Sequence, residues 1–238
     1  MQKSQKILIG AGAGVLALAA VAAFAGPVIY RDFIAPPAAS APTLSSDENV
    51  IPDEGTGEAL DPQALVGAWS VTEGSEAGYR VDEVLNGTDV TVTGRTGQVE
   101  GAFTIGADGL TLEAAELTVD VASISTDSNQ RDAYFRDQAL RTGEFPTATF
   151  VLTEPVSLEQ APDAGAVVQA EATGELTIAG ATQTVTASVQ VRSDGSTAEI
   201  AGSIPIVFAD FGVEAPSLGF VSVEDAGFVE FQLVADRQ

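Results

Sequence analysis

The chain contains no cysteine and no histidine, only one methionine and one tryptophan, and no lysine after residue 6. Each absence removes chemistry. Without histidine there is no Ser-His-Asp triad and no imidazole acid or base working near neutral pH. Without either histidine or cysteine, the usual zinc and blue-copper ligand sets cannot form, and disulfides are excluded. Basic residues number 10 against 34 acidic ones, so the cations that neutralise phosphates in nucleic-acid binding are missing. What remains is 238 residues, of which 45% are hydrophobic. That is enough for one or two domains with a real core, and too apolar for a disordered chain.

The charge is divided unevenly. Lys3, Lys6 and Arg31 lie in the first 31 residues, which hold no acid; the remainder sets 34 acids against seven arginines, a net charge of −27. Its plainest reading is a solvated acidic surface that does not attract strongly anionic partners. From Ile7 to Ile29 run 23 uncharged residues, about the length that crosses a bilayer core at a rise of about 1.5 Å per residue. Lys3 and Lys6 precede it, which orients the N-terminus to the cytoplasm and the rest to the outside. Residues 1–31 therefore read as a single-pass membrane anchor. The competing reading is a secretory signal cleaved near Ala25, since Ala23-Phe24-Ala25 fits a small-x-small site. The apolar run continues past that site through Pro27-Val28-Ile29-Tyr30, which favours the anchor. Residues 32–67 follow as a disordered linker, rich in Ala, Ser and acids and carrying Pro36, Pro37, Pro42, Pro52 and Pro62.

From Trp69 onward, within a domain spanning 68–238, the period is two. Val99, Gly101, Phe103 and Ile105 share one face; so do Leu117, Val119 and Val121, then Ala148, Phe150 and Leu152, then Val185, Ala187, Val189 and Val191. Ile200, Gly202, Ile204, Ile206 and Phe208 keep it up for nine residues, and Val229, Phe231 and Leu233 resume it at the end. Such alternation marks strands with one dry and one wet face. Asn86-Gly87, Asp108-Gly109, Ala179-Gly180 and Asp194-Gly195 supply hairpin turns between them. Strands are expected at 69–73, 79–85, 90–94, 98–105, 110–124, 147–153, 167–178, 183–191, 198–208 and 228–235. The pattern predicts an all-β antiparallel sandwich or barrel; closure into a barrel would remove exposed edges.

Residues 126–145 break the alternation and predict a short helix inserted between strands. Asp127 is placed to cap it with Gln130 as reciprocal partner, and Gly143 falls just past its end. Three arginines, Arg131, Arg136 and Arg141, sit here. Arg131, Arg136 and Tyr134 are candidates for a lid or headgroup contact; the structural alternative is that Arg131 and Asp132 make local ion pairs fixing the helix to the barrel. Asp127-x-Asn129-x-x-Asp132 lacks the glycine and distal glutamate of a calcium loop, so no metal is expected.

Four motifs in order carry a resemblance: ELTVDVASISTDSNQRDAYFR (116–136), EFPTATF (144–150), GELTIAGATQTVT (174–186) and FADFGV (208–213). The chain resembles the YceI-like family of lipid- and polyisoprenoid-binding proteins over about residues 68–236. The apolar N-terminal segment with Pro-Val-Ile-Tyr-x-x-Phe-Ile is similar to that of membrane-anchored actinobacterial members. The resemblance implies a lipocalin-like barrel holding an extended isoprenoid or fatty-acyl chain outside the cytoplasm, with no established reaction and no cofactor. Members often carry a histidine in the early strands; here that region reads Ser75-Glu76-Ala77-Gly78-Tyr79.

A barrel of about eight strands has room for one slender ligand. Inward Phe103, Ile105, Phe150, Leu152, Leu176, Ile178, Ile206 and Phe208 are expected to line it, with Gly101, Ala148, Ala187 and Gly202 leaving space. The acidic charge favours a neutral or weakly polar headgroup, such as a polyprenol, quinone or fatty-acyl amide. The alternatives are a packed, ligand-free barrel serving as a surface or adhesion module, and a hydrolase built on paired carboxylates. A dimer is left open.

Overall fold

The computed structural model describes residues 38–44, 58–85, 87–217, 219 and 221–238. The alternating segments form eleven strands among these residues: β1 (Gly67–Val71), β2 (Glu76–Leu85), β3 (Thr88–Thr96), β4 (Val99–Ile105), β5 (Thr111–Asp120), β6 (Thr147–Leu152), β7 (Val156–Ser157), β8 (Val168–Ile178), β9 (Ala181–Ser193), β10 (Thr197–Val207) and β11 (Val221–Arg237). All pairings are antiparallel, in the order β1-β4-β5-β6-β8-β9-β10-β11-β2-β3. The wall closes where Trp69, Ser70 and Val71 pair with Arg237, Asp236 and Ala235 of β11.

β1 and β2 are one long strand with a break, as are β3 and β4. Gly67 pairs with Ile105 and Ala77 with Thr96, on nearly continuous registers. β11 is 17 residues long and pairs with both β1 and β2. The break at 72–75 is stitched to β11 by Ser75, whose buried hydroxyl donates to the Thr72 carbonyl at 2.8 Å and accepts from the Val234 N–H at 3.0 Å. Counted this way, the barrel has eight long strands, all-β and antiparallel as the period of two predicts. Two details differ at the ends. β5 stops at Asp120, whose carboxylate accepts from the Ala122 N–H at 2.9 Å and turns the chain into a 3-10 helix over Val121–Ser123. β11 begins at Val221, seven residues before the expected start, and carries a bulge between Val223 and Gly227.

The inserted segment folds as helix α2 (Asn129–Tyr134), continued by a π turn over Phe135–Ala139. Ser128, not Asp127, caps it by accepting from the Arg131 N–H at 3.4 Å. Asp127 instead takes the Arg131 guanidinium at 2.5 Å. Adjacent residues with equal capping chemistry competed, and the ion pair decided between them. The left-handed residue after the helix is Arg141 (φ 52°), not Gly143; its guanidinium lies 5.1 Å from the Phe145 ring centre. Between β8 and β9 the Ala179-Gly180 turn has positive φ at both positions, 50° and 83°, which matches the twist of a two-residue hairpin.

The membrane-anchor reading of residues 1–31 falls outside the described residues. Among those described, no helix is long and apolar enough to cross a membrane. Two stretches of the expected linker are packed against the barrel. Residues 58–65, with helix α1 (Pro62–Leu65), lie over the loops at one end. Leu60 N–H donates to the Pro162 carbonyl at 2.9 Å, Gln63 Nε2 to the Ala107 carbonyl at 3.3 Å, and Trp69 Nε1 to the Leu65 carbonyl at 2.9 Å. Gly109 is packed so closely beneath Pro62 that a Cβ would sit 2.0 Å from the proline carbonyl oxygen. Residues 38–44 lie on the outer wall, with Leu44 only 6% exposed.

A two-chambered apolar cavity

Inside the wall two cavities follow one another along the barrel. The first, about 270 Å³, lies beneath α1. The second, about 640 Å³, lies beside α2. Ala77, Val119, Ala148, Ile178 and Val229 line both, so they form the waist at which the two chambers abut.

The strand register puts the expected residues there. Phe103, Ile105, Phe150, Leu152 and Leu176 line the first chamber, Ile206 and Phe208 the second, and Ile178 both. Of the small residues, Ala148 and Ala187 line the cavity. Gly101 and Gly202 do not make room: a Cβ on Gly202 would meet the Phe231 ring at 2.5 Å, and one on Gly101 the Leu117 side chain at 2.5 Å. Space beside an inward glycine was filled by the side chain across the strand pair. Arg131 and Tyr134 line the second chamber. Arg136 is not among the residues lining either.

Sequence reasoning pointed to Arg131 and Tyr134 but missed the polar groups around them on β2. β2 turns Ala77, Tyr79, Val81, Glu83 and Leu85 toward the second chamber, and the alternation that marks them is broken by Glu83. That carboxylate, 6% exposed, is reached by Arg131 Nη2 at 3.3 Å, which ties α2 to the barrel wall. Asp132, also buried, accepts from the Thr126 N–H at 2.9 Å and hydroxyl at 2.7 Å. Both acids of the Asp127…Asp132 stretch are thus committed within the protein. Burial opposes the Arg131 charge, but Glu83 and Asp127 outweigh it and hold the guanidinium above its ordinary value. Tyr79 stacks on Phe135 with ring centres 4.9 Å apart, over Gly94, where a Cβ would strike the ring at 2.5 Å. Burial pushes the Tyr79 phenol well above its ordinary value; Arg131 opposes the rise, and Asp132, Glu83 and Asp127 add to it. Its hydroxyl is therefore a proton-bearing donor throughout the physiological range.

At the far end of the first chamber Arg192 and Glu199 form a buried pair, with Nε and Nη2 both donating to Oε2 at 3.0 and 2.5 Å. Trp69, 2% exposed and stacked 5.8 Å from Phe103, closes that end together with Leu65.

The Tyr79 environment carries a signed expectation. A phenol whose folded pKa is raised contributes stability that is fully present below the unfolded value of 10.0 and is lost as pH rises above it. Melting temperature should fall on the alkaline side of that value. In Tyr79→Phe this part of the fall should be absent, so the two melting curves should converge as pH rises. Parallel decline of both proteins would refute the assignment.

The result is a closed, eight-stranded antiparallel barrel around apolar chambers, covered at one end by residues 58–65 and bordered by a few polar groups at the other, with space that a slender apolar molecule could fill. Residues 69–235 match the YceI-like domain family, and the chain belongs to it. A UPF0312 protein of Pseudomonas paraeruginosa is 29% identical over 128 residues, 51% of this chain; the chain spans 63% of that relative's length. Among solved structures, a polyisoprenoid-binding domain from Saccharophagus degradans superposes with a TM-score of 0.57 at 19% identity, covering 72% of this chain and 99% of that one. At that identity the likeness shows the fold. BcnA of Burkholderia cenocepacia is similar at 25% identity and a TM-score of 0.49, covering 66% of this chain and 95% of that one.

Proposed function

We propose that this protein binds a long-chain isoprenoid or related lipid inside its barrel, on the extracytoplasmic side of a membrane to which residues 1–31 anchor it. The observation that carries this reading is the pair of adjacent apolar chambers stacked along the barrel. A core meant only for stability is packed to about the density of organic crystals, whereas about 640 Å³ in the second chamber alone is within the range of small-molecule sites. Each methylene of a chain buried there contributes about 0.8 kcal/mol, so an isoprenoid of several units needs few polar contacts. Membership of the YceI-like family and the name of the Saccharophagus neighbour favour a polyisoprenoid.

The headgroup we propose is neutral or weakly polar: a prenol, quinone or fatty-acyl amide. The domain beyond residue 31 carries a net charge of −27, and Arg131 at the second chamber is already engaged by Glu83 and Asp127, which disfavours a diphosphate. The assigned role is binding and not catalysis. Extracytoplasmic placement follows from Lys3 and Lys6 before the apolar run; secretion after cleavage near Ala25 is the alternative route to the same side.

Mass spectrometry of organic extracts from the full chain, purified in mild detergent from its native membrane, tests the proposal. The expected result is a near-stoichiometric apolar chain lipid. A barrel that is empty on isolation and takes up no added polyprenol would overturn it in favour of a ligand-free surface module.

A further inference from the structure

One end of the barrel is covered by residues 58–65; at the other, here called the open end, exposed Gln130 and Glu214 line the second chamber, and the N-terminal segment reaches the outer wall nearer that end. Residues 58–65 cover the end of the first chamber, with Leu65 in its lining. The second chamber is lined at the other end by Gln130 and Tyr134 of the inserted helix and by Glu214, Ala215 and Pro216. Between the two, residues 38–44 run as a strap across the outside. Ala39 N–H donates to the Thr93 hydroxyl at 3.3 Å, and its carbonyl accepts from Arg80 Nη2 at 2.5 Å. Five residues later the Leu44 N–H donates to Gln190 Oε1 at 3.0 Å.

The register shows which way the strap climbs. Arg80 lies across from Phe228, and Phe228 from Pro205. Gln190 lies across from Ala201, Ala201 from Gln232, and Gln232 from Glu76. From Ala39 to Leu44 the chain therefore moves four residues up β2, away from the open end. Ala39 is therefore the end of the strap nearer the open end, and Leu44 the end farther from it. The residues at that level are greasy on the outside: Phe228 and Val207 are 43% and 47% exposed on the same outer face as Pro205.

We infer that the open end of the cavity is the membrane-facing end, held there by the strap. The inference rests on the anchored, lipid-binding reading above and adds the route: lipid passes between the bilayer and the second chamber without crossing water far from the surface. The occupant facing Val207 and Phe228 is the bilayer in which residues 7–29 sit. Eight residues, 30–37, separate the apolar run from the strap, and fully extended they span about 28 Å at most. Val207 lies two residues beyond the Pro205 level, about 7 Å at the rise of a strand. The Gly195 turn at the shut end lies ten residues the other way, about 25 Å along the barrel axis for strands tilted by about 40°. The tether therefore reaches the open end with slack and the shut end only when almost fully extended, and the loss of chain entropy on stretching favours the open end. Exposed Asp82, Asp89, Asp210, Glu214, Glu224 and Asp225 surround that end and oppose adhesion to anionic headgroups, so it is the tether that sets the orientation.

The chain has no cysteine, so single-cysteine variants label cleanly. V207C near the open end and S196C at the shut end, made in the full chain, are labelled with an environment-sensitive fluorophore. They are reconstituted in phosphatidylcholine nanodiscs containing a headgroup-nitroxide lipid. Quenching severalfold stronger at 207 than at 196 is the expected result. Equal quenching, stronger quenching at 196, or a 207 probe that reports a second copy of the chain instead of lipid overturns the inference, as does a chain that leaves the nanodisc because its N-terminus has been removed. Extracting lipid from the same samples separates the two claims: an occupied barrel with the reverse quenching pattern sinks the orientation and leaves lipid binding standing.

Discussion

Ala148→Trp is expected to empty the barrel without unfolding it. Ala148 sits in β6 at the waist, where it lines both chambers together with Ala77, Val119, Ile178 and Val229. An indole there blocks the way for any chain that extends from one chamber into the other. Overpacking a filled core costs about 1–3 kcal/mol, but here a chamber of about 640 Å³ adjoins the new side chain and can take it, so the melting temperature should change little. The ligand has no such relief. Excluding even two methylenes removes about 1.6 kcal/mol at about 0.8 kcal/mol each, which is roughly tenfold in affinity. The affinity for added polyprenol, read by titration, should fall by at least that factor, and lipid recovered per mole of protein should fall with it. Val151→Trp is the control: Val151 lies three residues further along β6 on its outer face, 42% exposed, so an indole there adds bulk outside the wall. Equal lipid in both variants would mean that the chain lipid does not run through the waist.

Replacing Arg192 by Met is expected to be the most destabilising single change of a charged residue. The Arg192 side chain is 0% and that of Glu199 5% exposed, within a network of charge-assisted hydrogen bonds. Removing one partner of a buried pair leaves the other charged in a low-dielectric site and costs about 3–5 kcal/mol. For a domain of this size that is roughly 6–20 °C in melting temperature. The double variant Arg192→Met with Glu199→Leu should recover most of the loss, because well-packed apolar replacements for a buried pair are often neutral or stabilising. A thermal-melt cycle over the four proteins gives the coupling directly. A double variant as unstable as the sum of the singles would show that the two side chains do not act as a pair.

The outer-wall cluster has different physics. Glu230 is 2% exposed and held by both Arg80, at 2.7 Å, and Arg95. The two guanidiniums are 19% and 18% exposed and keep some contact with water. Arg80 also carries the strap through the Ala39 carbonyl, so this cluster couples the wall to the approach of the N-terminal segment.

How much of this was legible depends on the distance over which each feature is decided. Strand positions could be read because a residue's face in a strand follows from its own index; Phe150 and Leu152 point inward because each lies two from the next. The turns at Asp108-Gly109 and Ala179-Gly180 were equally local: Asp108 accepts from the Leu110 and Thr111 N–H groups at 2.9 and 3.0 Å, which lowers its pKa, and Gly180 takes a positive φ. The polar end of the cavity was not legible, because inward Glu83 is tolerable only through Arg131, 48 residues away. Nor was the fate of Gly202, whose space belongs to Phe231 on another strand.

By itself, then, the sequence determined the period of two, the antiparallel all-β class, the inward aliphatic faces, the inserted helix and the family resemblance, since each is set by neighbours a few residues apart. Tertiary structure alone decided that the sheet closes by pairing β1 with β11, that two chambers abut at Ala148, that residues 58–65 cover one end, and that residues 38–44 cross the outer wall. Those are contacts between segments far apart in the chain, where no local pattern distinguishes a Pro- and Ala-rich spacer from a lid or a strap until there is a surface for it to lie on.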